Sequence, residues 1–95
     1  MAVYAVINIL VTDPVRYAEY IEKAPPTIAR YGGKYLARGG GVEVLEGGWK
    51  PQRLVILEWE SMERFNEWYN SPEYAPLKQL RHETSVGEFV VVEGL

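Results

Sequence analysis

Four kinds of side chain in this sequence are suited to chemistry: Arg38 and Arg81, Glu58, the single histidine His82, and an aromatic set at Trp68, Tyr69 and Tyr74. Arg38 stands immediately before three glycines, Gly39 to Gly41. An arginine beside bare backbone can clamp a carboxylate or an enolate through two parallel hydrogen bonds, and Gly39 and Gly40 could add backbone N–H donors. Glu58 lies in the apolar run LVILEW; if buried, its carboxyl would be pushed up and could serve as a general base. His82 titrates near neutrality and is a candidate acid/base group or haem ligand. Arg81 is a second anion partner, and Tyr69 and Tyr74 could line a pocket for a flat substrate. Together these residues predict a small-molecule site, with Arg38, Gly39, Gly40, Tyr69, Tyr74 and Arg81 binding and Glu58 and His82 as the acid/base pair.

Each residue also has a plainer reading, and for each the plainer reading is favoured. Arg38 would pair with Glu46 or Glu58 and fix a hairpin. Glu58 would be a strand-end carboxylate, solvated or paired with Arg53. His82 would place a cation at a helix C-terminus beside Arg81. The aromatic stripe would be core, with the tyrosine hydroxyls needing polar partners. Ser61 and Ser71 read as helix caps, and no G-x-S-x-G elbow surrounds them. Asn8 belongs either to a polar site or to a subunit seam. Trp49 reads as a lid over the hairpin or a dimer edge. The two readings part on whether Arg38, Glu58 and His82 converge on one pocket. If they do not, the chain is a non-catalytic, stress-associated or structural dimer.

Composition narrows the chemistry. There is no cysteine, so disulfides and thiolate catalysis are excluded. One histidine with scattered glutamates does not supply metal-ligand spacing, and no phosphate-binding glycine motif is present. Neither a metal nor a cofactor is expected. The net charge is −3 without a Lys/Arg cluster, which argues against a nucleic-acid partner. The apolar run from Ala2 to Val11 carries Asn8, lacks a basic flank and is too short to span a bilayer. A cytoplasmic protein is expected.

The elements that must position these groups follow from pattern. The chain has 95 residues and reads as one domain, 1–95. Val3 to Val11 is a strand apolar on both faces. Asp13-Pro14 starts a helix, which Pro25-Pro26 should break into two pieces before Gly32-Gly33 ends it. Lys34 to Arg38 and Val42 to Glu46 read as one long strand bent at the glycines, turning at residues 47–51 into the strand Arg53 to Trp59. Ser61 caps a second helix, Ser71-Pro72 restarts a third that ends near Arg81-His82, and Glu88 to Glu93 is the last strand. The order β-α-β-β-α-β is the ferredoxin-like signature, an α+β fold with helices on one face of a four-stranded antiparallel sheet. Two strands are apolar on both faces, so the other face needs cover, and a homodimer packed sheet to sheet supplies it.

The segments YGGKYLARGG, VLEG with a Trp two positions on, RLVILEW, WYNSPEY and the later Leu80-Arg81 resemble domain-of-unknown-function family 1330 (DUF1330), in order and over nearly the whole chain. The matching positions include Tyr31, Arg38, Gly39, Gly40, Glu46, Arg53, Glu58, Trp68, Tyr69, Ser71, Tyr74 and Arg81. Gly41 stands where a side chain is expected. The resemblance implies a dimeric α+β barrel, a superfamily that includes cofactor-independent monooxygenases, haem-degrading enzymes, lactone isomerases and stress-response proteins. It implies no particular reaction.

Overall fold

The computed structural model describes residues 1–95. β1 (Val3–Val11) is one of the two inner strands of a four-stranded sheet, flanked by β3 (Leu54–Trp59) and β4 (Ser85–Glu93), with β2 (Lys34–Arg38) on the far side of β3. All neighbours run antiparallel, in the order β2-β3-β1-β4. Helices α1 (Pro14–Arg30), α2 (Met62–Tyr69) and α3 (Ala75–Thr84) complete the α+β fold.

Strand alternation decides which side chains meet the helices. Val3, Ala5, Ile7 and Ile9 of β1 and Val55, Leu57 and Trp59 of β3 are buried. They pack with Tyr17 and Ile28 of α1, Phe65 and Trp68 of α2, and Tyr74 and Leu77 around the start of α3. The opposite parity faces outward. Leu36, Val86, Val90 and Val92 are 54%, 57%, 58% and 55% exposed, so no element of this chain covers that face. The shortest dimension, 16 Å, leaves room for one sheet and one helix layer.

Three expectations from the sequence need correction. α1 is not broken at Pro25-Pro26 but runs unbroken to Arg30. The prolines free the carbonyls of Ile21 and Glu22, and both of those residues are exposed, so water can serve them. Ala24 and Ile28, on either side of the prolines, are buried on the same face and hold both halves to the sheet. Second, Val42 to Glu46 pairs with nothing; β2 ends at Arg38 and residues 39–53 form no strand. Third, α3 does not start at Ser71-Pro72. The Ser71 hydroxyl donates to the Trp68 carbonyl at 2.8 Å and accepts from Tyr74 N–H at 3.1 Å, which makes a turn, and the helix begins at Ala75. β4 also begins at Ser85, ahead of Glu88. The other caps stand where the sequence puts them: Asp13 accepts from Arg16 N–H at 3.2 Å and Ser61 from Arg64 N–H at 3.1 Å. No helix is long and apolar enough to cross a membrane.

Gly32 and Gly33 close α1 for different reasons. Gly32 has φ +85°, which L side chains rarely adopt. At Gly33 a Cβ would lie 2.6 Å from Trp59 Cε2 and 2.7 Å from Ile28 Cγ2, so the chain end packs directly on the core. Gly33→Ala should therefore cost about 1–3 kcal/mol through overpacking. Gly40→Ala, with nothing within 4 Å of the new methyl, should stay within about 0.5 kcal/mol. Urea unfolding midpoints of the two variants check the contrast.

Candidate functional site

Between α1 and the inner sheet face lies a cleft. Ile7, Ile9, Val55 and Leu57 form its floor, and Ile21, Ala24, Pro25 and Ile28 its roof. Trp68 closes one end, and Tyr17, Tyr20 and Tyr35 line it with Arg38 and Arg53. It encloses about 450 Å3 counting its open mouth, but only about 30 Å3 admits the centre of a water molecule, so a ligand must displace side chains as it enters. None of the 14 lining residues is Asp, Glu or His.

Arg53 enters the cleft by simple parity with Val55, Leu57 and Trp59. Its carbonyl accepts from Ile9 N–H at 2.9 Å, anchoring it beside β1. Its Nε is buried with no partner. The guanidinium lies over Gly39, where φ is +68° and a Cβ would come within 2.7 Å of Nη1; glycine is what lets the arginine lie there. Arg38 enters by irregularity. β2 slips register by one between Tyr35 and Ala37, so that Arg38 faces Val55 on the helix side. Its Cζ sits 4.7 Å from the Tyr35 ring centroid. The ion pairs of this chain join Arg16 to Glu83, Lys23 to Glu19, Lys34 to Glu58 and Arg64 to Glu67; neither cleft arginine has a carboxylate partner.

The tyrosines are donors, not bases. Burial pushes the Tyr20 hydroxyl well above the ordinary tyrosine range, with Tyr74 adding to the rise. Burial also raises Tyr17, Tyr35 and Tyr74, more than the neighbouring arginines lower them. Tyr20 Oη and Tyr74 Oη share a 2.8 Å hydrogen bond, and Arg81 Nε donates to Tyr74 Oη at 3.3 Å.

The other candidates lie elsewhere. Glu58 is on the outer face, opposite Tyr4 and Lys34 across the strands, with Lys34 Nζ at 3.5 Å. It does not pair with Arg53, which lies on the inner face. Likewise Arg38 makes no ion pair with Glu46 or Glu58. His82 lies in a separate groove between α3 and β4, with Arg81, Tyr69 and Phe89. Tyr74 is fully buried between cleft and groove. Gly39 supports Arg53, and Gly40 stands free. Arg38, Glu58 and His82 thus occupy three places rather than one pocket. Asn8 is on the outer face, accepting from Gln52 N–H at 2.9 Å, and Trp49 is more than half exposed, bordering a shallow hollow with Val42, Val44, Pro51 and Leu54. No three of the His, Asp and Glu side chains cluster as a metal site requires.

Sequence reasoning missed Tyr17, Tyr20 and Tyr35 as cleft residues and took Arg53 for an ion-pair partner. Tyr17, Tyr20, Ala24 and Ile28 recur at helical spacing, and two hydroxyls in such a stripe signal a polar contact under the helix. Parity with Val55 was the available signal for Arg53.

This architecture is a ferredoxin-like α+β fold, with two arginines lining a cleft under its first helix. Within it, the chain belongs to the DUF1330 family, a domain of unknown function whose model matches residues 2–95. Three solved structures are similar to it. RPA0582 from Rhodopseudomonas palustris, a protein of unknown function, is 19% identical with TM-score 0.80, covering 99% of this chain and 82% of its own. SnoaB from Streptomyces nogalater, a cofactor-independent oxygenase, is 17% identical with TM-score 0.68, covering 99% and 93%. The de novo designed protein Foldit4 is 13% identical with TM-score 0.61, covering 100% of each. A comparison with curated proteins finds no match. At these identities the structures establish the fold alone, and the designed chain shows that the fold can stand without a natural function.

Two outcomes follow from the site's electrostatics. Arg53→Met keeps the stem and removes a buried, unpartnered donor, so the free protein should be as stable as wild type or more so in urea unfolding. His82 is held below its ordinary range by burial, then by Arg81 and Lys78. The folded chain therefore binds that proton less readily than the unfolded chain. This contribution to stability is complete above the ordinary histidine range and is lost as pH falls through it to the lower folded value. His82→Gln should flatten the stability profile below about pH 7, where the ordinary histidine range begins.

Proposed function

We propose that this protein binds a compact, flat, singly charged anion in the cleft under α1, with Arg38 and Arg53 on the anionic oxygens and the tyrosine hydroxyls as further donors. The observation that carries this is the pair of guanidinium groups over apolar walls with no carboxylate to neutralise them. Arg53 Nε is buried without a partner, while Arg38 is exposed beside it; an incoming oxyanion would give the buried donor its partner. The cleft contains no group that is a base at neutral pH. Its chemistry is therefore to hold an anion that is already formed: a carboxylate, a phenolate or an enolate. SnoaB is a cofactor-independent oxygenase. An enolate or phenolate shielded from water is the kind of electron-rich substrate that such chemistry needs, and this is the enzymatic form of the proposal. The alternative, a non-catalytic dimer, draws support from Glu58 and His82 each lying with local partners outside the cleft.

The outer sheet face fits a second copy of the chain. Val6, Ile56 and Val90 pair across three adjacent strands there, with Leu36, Val86 and Val92 around them. An apolar face of this extent is rare on a soluble monomer, and a two-fold sheet-to-sheet contact would cover it. A cysteine-free chain of this kind suits the cytoplasm.

A thermal-shift screen of aromatic carboxylates and enolisable ketones tests the binding site. Hits that occupy the cleft should lose at least about tenfold in affinity with Arg38→Ala and with Arg53→Met, as loss of a charged hydrogen bond requires. A screen in which every hit is indifferent to both variants would remove the cleft from the function. Light scattering should return twice the 10.8 kDa chain mass at micromolar concentration, and Val90→Lys should halve it.

A further inference from the structure

A second arginine site lies outside the cleft. Arg81 is only 8% exposed, yet no carboxylate approaches it within ion-pair distance. Its Nε donates to Tyr74 Oη at 3.3 Å, and Nη2 lies 3.4 Å from His82 Nε2. Its Cζ stands 5.2 Å from the Phe89 ring centroid. Guanidinium, imidazole and the Tyr69 and Phe89 rings all border one groove between α3 and β4.

The groove exists because β4 opens with small residues. Its helix-facing positions are Ser85, Gly87, Phe89 and Val91, alternating with the outward Val86, Glu88 and Val90. Ser85 is turned away, its hydroxyl donating to the Arg81 carbonyl at 2.5 Å. Gly87 cannot carry a side chain, since a Cβ there would fall 1.9 Å from the Asn8 carbonyl oxygen. Two successive inward positions therefore leave space beside the arginine.

The charges around this groove have one sign. Arg81, His82 and Lys78 come from α3, and Lys78 Nζ donates to the Tyr69 carbonyl at 2.9 Å, 4.0 Å from the Tyr69 ring centroid. β1 and the groove side of β4 contribute no titratable group; Glu88 is on the outer face, where Asn8 Nδ2 approaches it at 3.4 Å. In the free protein His82 Nε2 lies 3.4 Å from Arg81 Nη2, and burial, Arg81 and Lys78 all disfavour the protonated ring.

We propose that this groove is a binding site for a small planar carboxylate with an aromatic body, distinct from the cleft. The carboxylate sits between Arg81 and His82, accepting from both, and its ring lies against Phe89 and Tyr69. A carboxylate beside the ring favours its protonated form, so binding and protonation of His82 are coupled.

Because His82 is the only histidine, its ring resonances report on the groove alone. Benzoate is the probe, titrated into the full-length protein in carboxylate-free buffer and followed by NMR. Saturating benzoate should raise the His82 titration midpoint by about one pH unit, as an opposite charge at this range does. Benzoate should bind about tenfold more tightly at low pH than at high pH, the equivalent of that rise. Arg81→Met should abolish the rise, and Arg38→Ala should leave it intact. Should Arg81→Met fail to fold, wild type still decides: contacts from benzoate protons to Phe89 and Tyr69 support the groove. An unmoved midpoint overturns the proposal. So does a rise lost with Arg38→Ala, or contacts only to Tyr35 and Ile21.

Discussion

The structure depends on one aromatic stack. Trp59 closes β3, Trp68 lies over it with ring centroids 4.9 Å apart, and Tyr74 lies over Trp68 at 4.0 Å. Trp59, Trp68 and Tyr74 are fully buried. The stack joins the sheet to α2 and to the turn before α3, and Trp68 Nε1 reaches across to Thr27 Oγ1 of α1 at 3.0 Å. Rings this large bury about 150–250 Å2 each, more than any aliphatic side chain in the core. They also partition it. On one side of the stack α1 meets the sheet through Tyr17, Ala24 and Ile28, and the cleft opens there. On the other, α3 meets the small residues at the start of β4, and the groove opens. The cost is visible at Trp59, whose indole Nε1 is buried without a partner.

The sequence made the scaffold legible because alternation and capping are local properties. The burial pattern of β1 follows strict parity over most of its length, and Asp13 and Ser61 cap as their positions require. What it could not display were effects set by neighbours. Pro25-Pro26 disfavours a helix in isolation, but Ala24 and Ile28 bind both halves to the same sheet, and packing outweighs the lost hydrogen bonds. Val42 and Val44 alternate like a strand, yet no partner strand reaches them in this chain. The register slip of β2 is the most consequential case. Regular pairing from Tyr35 onward would put Ala37 opposite Val55 and turn Arg38 outward. One extra residue reverses this, and nothing in KYLAR announces it. Arg53 is the opposite case, its place given by counting back from Val55.

Both sites rest on the same electrostatic asymmetry. Every ion pair in this chain is exposed or partly so, whereas Arg53 and Arg81 carry buried nitrogen atoms or bury nearly the whole side chain away from any carboxylate. Selection for stability alone would favour apolar side chains at those positions. Tyrosine hydroxyls partly compensate: Tyr74 serves Arg81, and the Tyr35 ring serves Arg38. A neutral hydroxyl cannot cancel a charge. The fold therefore leaves arginines at two places without a carboxylate partner.

β3 ties this internal chemistry to the outer face. Its alternate residues divide without remainder: Arg53, Val55, Leu57 and Trp59 face the helices, and Leu54, Ile56 and Glu58 face outward. A slip of one residue would exchange the two sets and place Glu58 under α1 while moving the stack's anchor to the surface. Glu58 has two cross-strand partners, Tyr4 and Lys34, both on the outer face. The buried set Val55, Leu57 and Trp59 therefore fixes the register that brings Arg53 into the cleft, and the pairing of Glu58 with the exposed Lys34 adds little to it. A residue that reads as a general base in the sequence lies on the far side of the sheet from the cleft, placed there by the alternation of its neighbours.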